Sequence, residues 1–247
     1  MAGTQPTGQQ GETMDLKLSE PFSPPDSHLP DAPRACGEVG DDHTVNVATL
    51  LGKVMSLVAV SIGVLAVGSF IGRETDRGAA LVCSLAGVAM LFVQAFGGPR
   101  FRVGVFATTW LFGVALLLGL GLGPVLGYYA SADPSVITQS AGVTALVVAA
   151  TGTTGFLVGR DLVGWARPLT FAVFGLVLLS LTIVLFGDGN SPLLSVAIAG
   201  VSAALILVDF NYLRRHGTED DVVALATGIF ISIVNIFISL LNLFGRD

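Results

Sequence analysis

Seven stretches of this chain are each about as long as a bilayer is thick, and they carry almost no charge. A spanning helix needs about 20 mostly apolar residues. The runs are Val47–Ile71, Ala79–Phe96, Val103–Val125, Gln139–Val158, Leu169–Phe186, Leu193–Tyr212 and Val222–Phe244. A chain built this way is an all-α integral membrane protein of seven transmembrane helices, with no soluble catalytic domain. Only the sixth and seventh runs contain polar groups that look costly in lipid.

Charge supports this and locates the exception. Charged residues are 12% of the chain, against about 25% in soluble globular domains. Residues 1–43 hold eight acids and two bases, which accounts for the whole formal charge of −6. The remaining residues balance, so nothing suggests the basic surface that nucleic acid requires. Residues 1–43 are also rich in Gly, Pro, Ser and Gln. Such a segment cannot bury enough apolar surface to offset its ordering entropy, and it reads as a disordered cytoplasmic tail. It lacks the basic and apolar regions of a cleavable signal peptide. Cys36 and Cys83, one in the tail and one in an apolar run, read as two free thiols.

The loops fix an expected orientation through their Lys and Arg residues. Lys53, Arg100, Arg102, Arg160, Arg167, Arg214 and Arg215 fall on one side, and Arg73, Arg77 and Arg246 on the other. That places the N-terminus in the cytoplasm and the C-terminus outside a plasma membrane. Pro168 and Pro192 are expected in the first turns of their helices, where a missing N–H does no harm. Gly119, Gly123 and Gly127 recur every fourth residue, as do Gly155 and Gly159. This spacing lets helix backbones approach closely.

Few residues could carry chemistry. His28, His43 and His216 all lie outside the spans, and no zinc motif occurs, so no catalytic residue, resident metal or cofactor is assigned and no enzyme is expected. The intramembrane carboxylate is Asp209. It precedes Arg214 by five residues, about 7 Å inside the boundary. An ionisable group there is a functional candidate by default. It either binds and releases protons or reaches the interface to pair with Arg214 or Arg215. The seventh helix carries Gly228, Ser232, Asn235, Ser239 and Asn242 on one face. That stripe is either inter-helix hydrogen bonding or the wall of a hydrophilic cavity opposite Asp209, with Asp209, Ser232 and Asn235 as the candidate ion or proton site. Thr218-Glu-Asp-Asp221 matches a capping box at the start of this helix.

The sequence Val208-Asp-Phe-Asn-Tyr-Leu, a short charged turn, and then Asp221 through Asp247 resemble the last two helices of the Bax inhibitor superfamily, in its bacterial YccA-like branch. Gly123-Pro-Val-Leu-Gly-Tyr-Tyr, with Thr144-Ala-Leu further on, is similar to the family's third and fourth helices. The resemblance covers about residues 47–247. It implies a Bax-inhibitor-like bundle in which six helices surround a more polar last one. It also implies two roles. One is a regulatory inner-membrane protein acting with a membrane-anchored AAA protease of the FtsH type. The other is a pH-sensitive leak for Ca2+ or another cation, gated by two aspartates on the last two helices. Asp209 matches the first aspartate. The second is expected within Ile231–Asn235, where this chain has Ser232, and the second run has no interior Arg to hold such a pair.

Overall fold

The computed structural model describes residues 42–101, 103–186 and 191–246. The expected tail therefore lies outside the described residues, except for its last two positions. So do Arg102, Cys36 and His28. All seven apolar runs are helical: α1 Asp42–Ile71, α2 Arg77–Phe96, α3 Gly104–Ala132, α4 Pro134–Leu157, α5 Val163–Phe186, α6 Pro192–His216 and α7 Val222–Phe244. Each is long and apolar enough to cross a membrane, and no strand occurs among the described residues.

Helix ends follow the capping chemistry, and the apolar runs mark only the middles. Asp76 accepts a hydrogen bond from the Gly78 amide at 3.0 Å and starts α2. Asp133 accepts from the Ser135 amide at 3.0 Å and from its hydroxyl at 2.6 Å, with Pro134 as first residue of α4. Asp161 accepts from the Val163 amide at 3.0 Å, which starts α5 well before the apolar run. Pro168 consequently sits inside α5 and not in its first turn. Between α2 and α3 the chain reverses at Gly98, whose φ of 78° favours a residue without Cβ.

α1 and α3 meet backbone to backbone. A Cβ on Gly68 would lie 2.7 Å from the Leu116 carbonyl oxygen, and one on Gly119 would overlap the Leu65 carbonyl. Gly72 and Gly123 face each other in the same way. The expected close approach of Gly119 and Gly123 thus finds its partner in Gly68 and Gly72. Pro124 adds to it. Proline supplies no N–H to the Leu120 carbonyl, and that carbonyl is pressed against Gly72.

α7 is the most enclosed helix: 56% of its apolar window is buried, against 6% for α5. It packs on α6, α1, α4 and α3, and α2 reaches it through one hydrogen bond. α5 stands outside this ring and packs mainly on α6. The starts of α1, α3, α5 and α7 and the ends of α2, α4 and α6 share one end of the bundle, the proximal end. There Lys53 of α1 pairs with Glu219 ahead of α7 at 2.7 Å. At the distal end the Tyr129 hydroxyl donates to the Gly245 carbonyl at 3.3 Å. α1 and α4 splay apart, leaving an apolar groove of about 880 Å³ floored by Ile233, Val234 and Phe237 of α7.

Candidate functional site

The reversal from α6 to α7 sets the geometry of the site. Gly217 makes the tight exit, packed under the Leu213 carbonyl and Leu50. The Thr218 amide then donates to Asp221 Oδ2 at 3.2 Å and the Thr218 side chain accepts from the Asp221 amide, the reciprocal bonds of the expected capping box, and the Thr218 hydroxyl also lies 2.7 Å from Asp221 Oδ2. The box heads a single 3₁₀ turn that runs into α7. The two helices leave this turn antiparallel, and Asp209 meets Gly228. Its Oδ2 lies 3.0 Å from where a Gly228 Cβ would stand. Glycine at this point of the stripe is therefore what makes room for the carboxylate.

The alternative in which Asp209 pairs with Arg214 or Arg215 does not form. Arg214 Nη2 donates to the Val158 carbonyl at 3.0 Å, and Arg215 donates to the Gly159 carbonyl. These are the last carbonyls of α4 and its exit, left without partners by the helix geometry. Asn211, fully buried, completes the set. Its Nδ2 donates to the Gly155 and Val158 carbonyls at 3.2 Å each, and its Oδ1 accepts from the Leu162 amide at 3.1 Å. His216 Nε2 lies 3.0 Å from Asp161 Oδ2. The Asp161 carboxyl is held below the usual aspartate value, first by the Val163 amide and then by His216. The end of α6 is thus a clamp on the α4–α5 loop, and its cations are committed to it. Lys53–Glu219 and His216–Asp161 are the ion pairs among the described residues, and neither includes Asp209.

One neighbour of the site went unread in the sequence. Gln94, buried near the end of α2, donates through Nε2 to the Thr227 hydroxyl at 3.0 Å, one residue before Gly228. Its Oε1 is enclosed without a partner. The second apolar run therefore does carry a costly polar group. The signal was available as an amide in an otherwise apolar stretch.

Ser232 and Ser239 are buried, at 2% and 4% exposure, and Asn235 and Asn242 are partly buried. Asn235 Nδ2 is enclosed without a hydrogen-bond partner. Across the interface α6 contributes Ser195 and Ser202, both buried. The sequence reading passed over them because an isolated serine in an apolar run carries little signal. The large apolar groove is lined by the opposite flank of α7, and Asp209, Ser232 and Asn235 are not among its walls. A second cavity, of about 330 Å³, lies between α4, α6 and α7 and includes Ser195 and Ser239. Among the described residues no group of three or more His, Cys, Asp or Glu side chains is placed to hold a metal ion.

Residues 47–247 match the family described as Inhibitor of apoptosis-promoting Bax1. Among similar proteins is an uncharacterised membrane protein of Vibrio cholerae, 30% identical over 67% of this chain and 74% of its own. An uncharacterised protein of Helicobacter pylori is 28% identical over 65% of this chain and 69% of its own. One of Deinococcus radiodurans is 26% identical over 80% of this chain and 90% of its own. The match covers the same stretch as the Bax-inhibitor resemblance read from the sequence, and this chain is a membrane protein of the Bax1-inhibitor family.

Proposed function

We propose that this protein takes up and releases a small cation at Asp209, as a cation leak through the α6–α7 interface. The observation that carries the reading is the Asp209–Gly228 contact. It holds a carboxylate inside the span, against the polar face of the most enclosed helix, while the nearby arginines serve the α4 carbonyls. Keeping an ionisable group at that depth is costly without a use. In this reading the proximal end is cytoplasmic, following the excess of Lys and Arg there.

The test is ion flux into liposomes containing the purified full-length protein, with Ca2+ and protons followed separately. Asp209→Asn keeps the shape and removes the charge. Its flux should fall to the level of empty liposomes. Equal flux from both proteins would remove Asp209 from the function.

The acidic, Pro-rich composition of residues 1–43 favours a second reading, a regulatory protein acting with a membrane-anchored AAA protease. A segment of that length and composition suits the initiation of processive degradation. Deleting residues 1–43 should lengthen the protein's lifetime in cells that hold such a protease, and an unchanged lifetime would count against it.

A further inference from the structure

Along α6, Ser195, Ser202 and Asp209 are seven residues apart, close to two helical turns, so they share a face. The contact of Asp209 with Gly228 fixes the register of the antiparallel pair. Seven residues back on α6 is Ser202, and seven forward on α7 is Asn235. Another seven gives Ser195 and Asn242. Towards the distal end, Ser195 of α6 and Ser239 of α7 line one small cavity between the two helices. With Ser232 and Ser239 between those levels, a polar side chain recurs about every 5 Å over roughly 21 Å of the interface. At the middle level two groups are orphaned together. Ser202 is fully buried and its Oγ has no partner, and Asn235 Nδ2 has none either. A bilayer offers no water from outside to satisfy them. Towards the proximal surface, one turn beyond Asp209, the Tyr212 hydroxyl donates to Asp221 at 3.3 Å.

We infer that water files along this α6–α7 seam and carries protons between Asp209 and the two faces, through Ser202 and Asn235 on the distal side. The inference rests on the reading of Asp209 as an exchange site and narrows its cation to the proton. Ca2+ needs six to eight oxygen ligands, several of them charged. The seam offers one carboxylate. A proton needs only alternating donors and acceptors at spacings that one water can bridge, and hydroxyls and waters both give and take. Arrival of a proton at Asp209 makes the neutral acid and departure restores the carboxylate. α7 presents Gly228 to the carboxylate, the ion pairs Lys53–Glu219 and His216–Asp161 do not include it, and Arg214 and Arg215 donate to the Val158 and Gly159 carbonyls.

The experiment uses full-length protein in liposomes holding a pH-sensitive dye, with a potassium diffusion potential as the driving force and Ca2+ entry followed in parallel. Monodisperse elution and unchanged melting show that each variant is folded. The wild type should acidify the lumen, and Asp209→Asn should not. Ser202→Ala and Asn235→Leu should each slow proton entry about fivefold to tenfold. Ser202→Thr, which keeps the hydroxyl, should restore it relative to Ser202→Ala. Calcium entry that depends on Asp209 without proton entry would overturn the proton seam and leave the exchange site standing. Asp209-dependent proton entry as fast in Ser202→Ala and Asn235→Leu as in the wild type would overturn the path alone. No movement of either ion, or equal movement in Asp209→Asn, would overturn both.

Discussion

The Asp209 carboxylate fills the space that a side chain at Gly228 would need, with Oδ2 3.0 Å from that Cβ position. The contact is with the free end of a side chain, so a single methyl can be tolerated by a small shift. Gly228→Ala should therefore leave melting nearly unchanged, while Gly228→Val should cost about 1–3 kcal/mol as an overpacked interface. Valine should also displace the carboxylate and abolish any Asp209-dependent flux. Thermal unfolding in detergent and the liposome assay read the two effects separately. A Gly228→Val protein with full flux would show that the contact does not position Asp209.

Asn211 binds three backbone groups of another helix and its exit loop. Truncation to alanine leaves all three without that partner, and each buried orphan costs about 1–3 kcal/mol less whatever water reaches it. Asn211→Ala should lower the melting temperature clearly, and Asn211→Asp should do no better, because a carboxylate cannot donate to the Gly155 and Val158 carbonyls. Wild-type melting in Asn211→Asp would contradict the hydrogen-bond assignment.

At the α1–α3 contact the neighbours are backbone atoms, which cannot rotate aside. Gly119→Ala should destabilise by about 1–3 kcal/mol although it adds only one methyl. Gly142 has open space beside it, so Gly142→Ala is the matched control. Equal melting of the two variants would refute the close approach.

Asp161 has a folded-state pKa below the ordinary value of 3.8, because the Val163 amide and His216 favour its charged form. Its contribution is therefore present above pH 3.8 and is lost as the pH falls through the lower, folded value. Amide exchange at Val163 should quicken across that acid range beyond the intrinsic trend. Asp161→Asn should show the faster exchange already at neutral pH. A pH-independent protection factor in the wild type would exclude this cap.

The number and order of spans were legible because lipid demands a long uncharged run for every crossing. Asp209 and the α7 stripe were legible for the converse reason, since polar groups stand out in such runs. What stayed hidden was pairing. Gly119 and Gly123 announced a close approach, but Gly68 and Gly72 are known as their partners only once α1 and α3 are side by side. Arg214 and Arg215 were expected near Asp209 by sequence distance. The unpaired carbonyls that end α4 compete for them and win, which is a tertiary fact. Asn211 and Gln94 are neutral amides in apolar runs, which is a visible signal, but their partners lie far along the chain and only the packed helices reveal them. Ser195 of α6 and Ser239 of α7 line one small cavity, a juxtaposition that only the packing of the two helices creates.

The gap between α1 and α4 has a consequence for what counts as the interior of this protein. Ile233, Val234 and Phe237 belong to the most enclosed helix, yet they floor the open groove between α1 and α4. Its lining is almost wholly apolar, the chemistry that acyl chains share. In a bilayer, lipid filling this groove would be one of the walls against which α7 rests, and the position of the helix that carries the polar stripe would then be set jointly by the chain and by the membrane that holds it.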